Sequence, residues 1–95
     1  MCKVVNIRNA DYTIYIGRAG HGQLGTFGNP FKVGVHGKQG ECVELFRKWF
    51  HSPAGQEMRS KVDAIITKND TLGCFCKPNA CHGDVIAEYV NNRPG

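Results

Sequence analysis

Ninety-five residues, 41% of them hydrophobic, suffice for one domain with a small core and are too few for two independent ones. Charged residues make up 21% of the chain and no segment is of low complexity, which excludes an intrinsically disordered protein. The net charge of +4 is concentrated in residues 1–40, where Lys3, Arg8, Arg18, Lys32 and Lys38 face Asp11 alone; this suits an anionic small ligand or a nucleic-acid phosphate but falls short of the basic stripe of a dedicated DNA binder.

The start Met1-Cys2-Lys3-Val4-Val5-Asn6 lacks the apolar stretch of a signal peptide, and no run is long enough to span a bilayer. A cytoplasmic protein without membrane contact is therefore expected. In a reducing compartment the five cysteines, an odd number, are thiols or ligands rather than a disulfide framework.

Lys3-Val4-Val5-Asn6-Ile7-Arg8 and Tyr12-Thr13-Ile14-Tyr15-Ile16-Gly17 are β-branched and aromatic runs, read as two adjacent strands joined by the turn Asn9-Ala10-Asp11. From Gly17 to Gly40, eight of twenty-four residues are glycine and no periodicity is sustained. A structured loop of that length in a small domain is usually functional. Cys42, Leu45, Phe46, Trp49 and Phe50 then recur at helical spacing and predict an amphipathic helix over 40–51, with Trp49 and Phe50 in the core rather than on a stacking platform. Ser52-Pro53 opens a second helix carrying Met58, Val62, Ile65 and Ile66.

Asn69-Asp70 ends that helix before Thr71-Leu72-Gly73-Cys74-Phe75-Cys76, a buried strand, and Lys77-Pro78-Asn79-Ala80 makes a tight connection. Val85, Ile86, Tyr89 and Val90 mark a last helix that starts near Cys81 and fades over Asn91-Asn92-Arg93-Pro94-Gly95. The expected fold is a single α/β domain over 1–95, of order β-β-α-α-β-α, with a partly parallel sheet and a Rossmann-like crevice beyond the strand ends. Gly17-Arg18 and Cys76-Lys77 both leave strand ends, so the two motif regions are expected to converge there.

Three chemistries compete for the run Cys74 to Asp84. Free amides at the helix start, with Gly83 allowing close approach, favour a phosphate, while Asp84 caps the helix or accepts a ribose hydroxyl or a proton. A thiol lowered by the helix N-terminus, by His82 and by Lys77 would make Cys81 the nucleophile of an enzyme, with His82 and Asp84 in acid–base roles. Cys74, Cys76, Cys81 and His82 form a third alternative, a zinc or iron–sulfur site, although their spacing departs from familiar structural zinc sites. Cys42, Cys74 and Cys76 are also explained as small core hydrophobes. In the glycine segment, Gly17, Gly25, Gly28 and Gly34 supply turn conformations, whereas Arg18 and Asn29 offer a guanidinium fork and an amide to a phosphate and a base or ribose. His21, His36 and His51 have no spacing argument and are read as solvated or structural.

Tyr15-Ile16-Gly17-Arg18 with Gly28-Asn29-Pro30-Phe31, and Cys74-Phe75-Cys76-Lys77-Pro78 with Cys81-His82-Gly83-Asp84, resemble a small domain family of unknown function found in bacteriophages and bacteria. The family's aromatic between the first two cysteines is often tryptophan, and here it is Phe75. A weaker likeness is to another uncharacterised α/β family with a Cys-His-Arg helix start, where Gly83 replaces the arginine. Phage occurrence, as the resemblance implies it, points to host takeover or anti-defence through binding, with a host protein or a second copy as further partners.

The leading expectation is a binding domain for a phosphate-bearing nucleotide-type ligand, with no cofactor, using Gly17, Arg18, Gly28, Asn29, Lys77, Cys81, His82, Gly83 and Asp84. The alternatives are an enzyme acting on such a ligand through Cys81, His82 and Asp84, and a nucleic-acid-binding module stabilised by zinc.

Overall fold

In the computed structural model the described residues are 1–18, 22, 25–32 and 34–93. The expectations for His21 and for the chain end at Pro94-Gly95 lie outside them. The elements are β1 (Lys3–Asn6), β2 (Ile14–Tyr15), α1 (Gln39–Phe50), a single 3-10 turn (Pro53–Gly55), α2 (Gln56–Ile65), β3 (Thr71–Cys74) and α3 (His82–Asn92). This is the α/β order anticipated from the pattern. Among the described residues no helix is long and apolar enough to cross a membrane.

The sheet differs from the expectation of two neighbouring N-terminal strands. Its order is β1-β3-β2, and β3 pairs in parallel with both others, Val4 opposite Leu72 on one side and Ile14 opposite Leu72 on the other. A tight turn joins only antiparallel strands, so two parallel strands leave room for a third between them. The linking residues 7–13 cross β3 over Gly73, where an added Cβ would lie 2.6 Å from Ile7 Cγ2 and 2.6 Å from Tyr12 Cγ. Glycine at that point lets the crossing chain lie directly on the sheet.

Strand alternation then divides the two faces. Leu72 and Cys74 point to the helices and are buried with Ile16, Phe46, Phe50, Val62, Val85, Ile86 and Val90 in one core. Phe46 and Phe50 stack at 5.4 Å from the α1 stripe, Trp49 packs beside them, and Val43 joins the buried side of the helix. Ile65, placed in the core by its spacing, is half exposed because α2 ends there and Ile66 takes the buried place. His36 and His51 have local roles: His36 Nδ1 accepts from the Lys32 amide at 2.8 Å, and His51 lies edge-on to Phe50.

Polar ties fix the sheet ends. Asp70 accepts from Thr13 Oγ1 at 2.8 Å and from the Thr67 amide at 2.8 Å, joining the starts of β2 and β3. The Asn91 amide group bonds both the N–H and the C=O of Cys2 at 2.9 Å, tying the end of α3 to the start of β1.

These contacts separate two glycines. Gly73→Ala is expected to destabilise the fold by about 1–3 kcal/mol, because Ile7 and Tyr12 must retreat from the sheet. Gly40→Ala, in α1 with open space around it, is expected to stabilise by up to about 1 kcal/mol through helix propensity. Urea titration of the two variants beside the parent measures both; equal midpoints would refute the crossing of residues 7–13 over β3.

Candidate functional site

β1, β2 and β3 are parallel, so their carboxyl ends lie along one edge of the sheet, and α3 begins at that edge. Beyond it lies a crevice of about 440 Å³, within the size range of small-molecule sites. Tyr15, Gly17, Arg18, Asn29 and Phe31 come from the glycine-rich side, Gln39, Cys42 and Val43 from α1, and Cys74, Phe75, Cys76, Ala80, Cys81 and His82 from the cysteine side. The two motif regions meet there.

The glycine-rich limbs are drawn together by close backbone approach. A Cβ on Gly28 would stand 3.2 Å from the Gly17 carbonyl oxygen and 3.6 Å from Arg18 Cα, so Gly28 lets its limb lie against Gly17-Arg18. Gly17 in turn carries the ring of Tyr15, which folds back over it and donates from its hydroxyl to the Arg18 carbonyl at 2.8 Å. Asn29 is partly structural, since its Oδ1 accepts from the Phe31 amide at 2.9 Å and closes the turn around Pro30. Arg18 itself is exposed on the crevice wall, and among the described residues no acidic side chain pairs with its guanidinium.

His82 joins this loop to α3. Its Nε2 lies 2.8 Å from the Ile16 carbonyl oxygen and 2.9 Å from that of Phe27. Carbonyls only accept, so Nε2 carries the proton and shares it between them. Nδ1 is left as an acceptor 3.7 Å from Cys81 Sγ. Burial pushes the imidazole below its ordinary pKa, against the pull of the two carbonyls. His82 is therefore a buried strut, 6% exposed, with its Nε2 engaged by two backbone carbonyls.

The remaining residues of that motif are also engaged. Asp84 Oδ2 accepts from the Cys81 amide at 3.2 Å, and the Gly83 amide donates to Cys81 Sγ at 3.3 Å. This capping arrangement uses the helix-start groups that an anion was expected to meet. Asp84 Oδ1 also pairs with Lys77 Nζ at 2.6 Å. Gly83 faces inward: a Cβ there would strike Ile16 Cδ1 and stand 3.2 Å from the Val4 methyls, so its role is close helix–sheet packing. Neither Lys77, Gly83, Asp84 nor Gly28 lines the crevice.

The cysteines separate just as clearly. The sulfurs of Cys74, Cys76 and Cys81 all lie within 4.8 Å of one another, and Cys81 Sγ stands 3.1 Å from Cys74 Sγ. Cys74 and Cys76 share the inward side by strand alternation, and Cys81 reaches them as the residue preceding α3. Hydrogen bonds from the Cys76 and Cys81 thiols hold Cys74 far below the ordinary thiol range. The same bonds raise Cys76 and Cys81, and burial raises both further. Activation of Cys81 by the helix terminus is thus reversed, because its sulfur is a buried donor to a neighbouring thiolate. All five cysteines are free thiols, and Cys42 is buried with its sulfur 3.6 Å from the Gly37 carbonyl oxygen.

Tyr15, Phe31, Gln39 and Phe75 escaped the site reading from sequence. Alternation offered a signal for two of them: Tyr15 is two residues before Gly17, and Phe75 lies between two inward cysteines, so both rings must emerge at the strand ends. They meet edge-on at 6.4 Å, and Arg8 lies over Phe75 at 5.2 Å. Gln39 gave none, since its Nε2 bonds the distant Ala80 carbonyl at 2.6 Å.

Residues 2–92 match the model of a family described as "Domain of unknown function (DUF4326)". The chain is 33% identical over 93 residues to an uncharacterized 12.4 kDa protein in the nrdA-td intergenic region of Enterobacteria phage T4, covering 96% of this chain and 79% of that protein. No solved structure matches it.

His82→Ala is expected to cost at least about 2 kcal/mol, from two buried carbonyls losing their donor and from the cavity left beside Phe46. His82→Gln, whose amide can still donate, is expected to recover part of that loss. Chemical denaturation of both variants decides it, and parental stability in His82→Ala would remove the strut from the structure.

Proposed function

The chain belongs to the DUF4326 family, and we propose that it binds a phosphate-bearing, nucleotide-type small ligand in the crevice between the glycine-rich segment and the Cys-His turn. The carrying observation is an exposed guanidinium without an acidic partner among the described residues, set on the wall of a crevice whose rim is aromatic. Arg18 supplies the charge-assisted fork suited to a phosphate. Tyr15 and Phe75 supply ring faces against which a base can stack. Gly17 and Asn29, whose side-chain amide also bonds the Phe31 amide and the Cys42 carbonyl, line the phosphate side.

Turnover by Cys81, His82 and Asp84 finds less support in this arrangement, since each of the three already has an internal partner. Given the phage relative, sequestration of a host nucleotide is the role during infection that fits a binder of this size, and it would be exerted in the host cytoplasm.

Arg18→Ala is expected to weaken binding of nucleoside phosphates by roughly 10-fold to 100-fold, the range for losing hydrogen bonds to a charged group. Its stability should remain within about 0.5 kcal/mol of the parent, as for other exposed positions. Calorimetric titration with nucleoside mono-, di- and triphosphates and with inorganic phosphate, alongside thermal melts, separates the two effects. A parent protein that binds none of these compounds, or an Arg18→Ala protein that binds them undiminished, would sink the reading.

A further inference from the structure

The floor of the crevice holds three sulfurs whose arrangement the binding proposal does not use. The geometry points to a mononuclear zinc site formed by Cys74, Cys76 and Cys81 as thiolates, with the fourth coordination position open to the crevice. It shares the crevice with the proposed nucleotide site but does not depend on it.

Tetrahedral zinc with bonds of about 2.3 Å to sulfur sets its ligand sulfurs about 3.8 Å apart. The three sulfurs lie within 4.8 Å of one another, with the closest pair at 3.1 Å. Side-chain adjustments of an ångström or less therefore bring them around one ion. Sulfurs that ligate separate irons of a cluster stand farther apart than sulfurs sharing a single ion, so this spacing favours one metal.

The scaffold is also built for thiolates. The Gly83 amide donates to Cys81 Sγ at 3.3 Å. Outer donors of this kind orient and charge-compensate metal-bound sulfur. The turn between the ligands is held from both sides, by Asn6 Nδ2 on the Lys77 carbonyl at 2.8 Å and by Gln39 Nε2 on the Ala80 carbonyl at 2.6 Å.

The sequence offered His82 as a fourth ligand, but its Nε2 is committed to Ile16 and Phe27. Among the described residues the metal-ligating group stops at three. All three cysteines line the crevice, which is where the vacant position must face. Structural zinc sites close with four protein ligands, whereas three leave a position for water or another small donor. Three thiolates and Zn²⁺ carry a net charge of −1.

The test is metal analysis of the full chain purified under reducing conditions, followed by replacement of zinc with Co²⁺. One equivalent of zinc is expected, and the cobalt form should show thiolate-to-cobalt charge-transfer bands with four-coordinate visible bands. Imidazole should shift those visible bands by occupying the open position. Cys76→Ser, at the half-exposed ligand, should weaken zinc binding by more than about a hundredfold, beyond the usual effect of losing an outer partner. Cys2→Ser, remote from the crevice, should retain one equivalent, and so should Arg18→Ala, which separates failure of the metal site from failure of the nucleotide site. A protein that takes up no zinc or cobalt, or a folded Cys76→Ser that binds zinc like the parent, would overturn the site. Cobalt bands indifferent to imidazole would overturn the open position.

Discussion

His82 Nε2 stands 2.8 Å from one carbonyl oxygen and 2.9 Å from another, and those carbonyls belong to Ile16 and Phe27, which are well separated along the chain. That shared proton clamps both limbs of a long loop to the first turn of α3. Among the described residues the loop is held further by Gly28 against Gly17-Arg18, by Asn29 Nδ2 on the Cys42 carbonyl and by Phe27 in the core. The two motif regions of the crevice meet at this clamp: Arg18 lies two residues beyond Ile16, Asn29 two beyond Phe27, and Cys81 one before His82. The interaction works because the imidazole is buried and neutral, so a single N–H serves two acceptors and no charge has to be left without solvent.

The sequence carried the helices and the site's location well, and the roles within the site poorly. Apolar spacing placed Phe46 and Phe50 in the core and Cys81 at the start of the last helix, since periodicity reports which side of an element is buried. Strand runs located β1 and β2 but not the insertion of β3 between them, which depends on parallel pairing over 57 intervening residues and on the bare backbone at Gly73. Cys81, His82, Gly83 and Asp84 were visible as a group, yet a residue type does not say whether its partner is a ligand or the protein itself. His82 found two carbonyls, Asp84 found Lys77, and Gly83 found Val4 and Ile16. Each of these partners is far away in sequence or reached only through the folded turn.

The same distinction bears on Cys81, which the sequence offered both as a nucleophile and as a ligand. A thiol is activated when its thiolate is favoured and accessible. Cys81 is 1% exposed, and its sulfur donates to Cys74 while receiving the Gly83 amide. Because the Cys81 thiol donates to Cys74 Sγ at 3.1 Å, Cys74 is the sulfur of the three most favoured as a thiolate in the free protein. A divalent cation changes that balance by replacing the remaining protons, so that burial, which opposes isolated thiolates, instead shields the metal–sulfur bonds from competing water.

Rigid and adaptable parts of the crevice are thereby separated. The three sulfurs sit on the end of the central strand and on the cap of a helix, positions fixed by sheet pairing, by the capping contacts of Asp84 and by the clamp at His82. Arg18 stands on a loop, exposed, with its backbone held by Tyr15 and its guanidinium free of acidic partners among the described residues. A fixed floor with a movable cation above it can accept an anion without rearranging the core, because closing the guanidinium onto a phosphate requires only side-chain ordering. The aromatic rim lies between the two, with Tyr15 on the loop side and Phe75 on the strand side. Because those rings meet edge-on at 6.4 Å, they form one continuous rim, and a planar group of the proposed ligand would lie against it rather than between them.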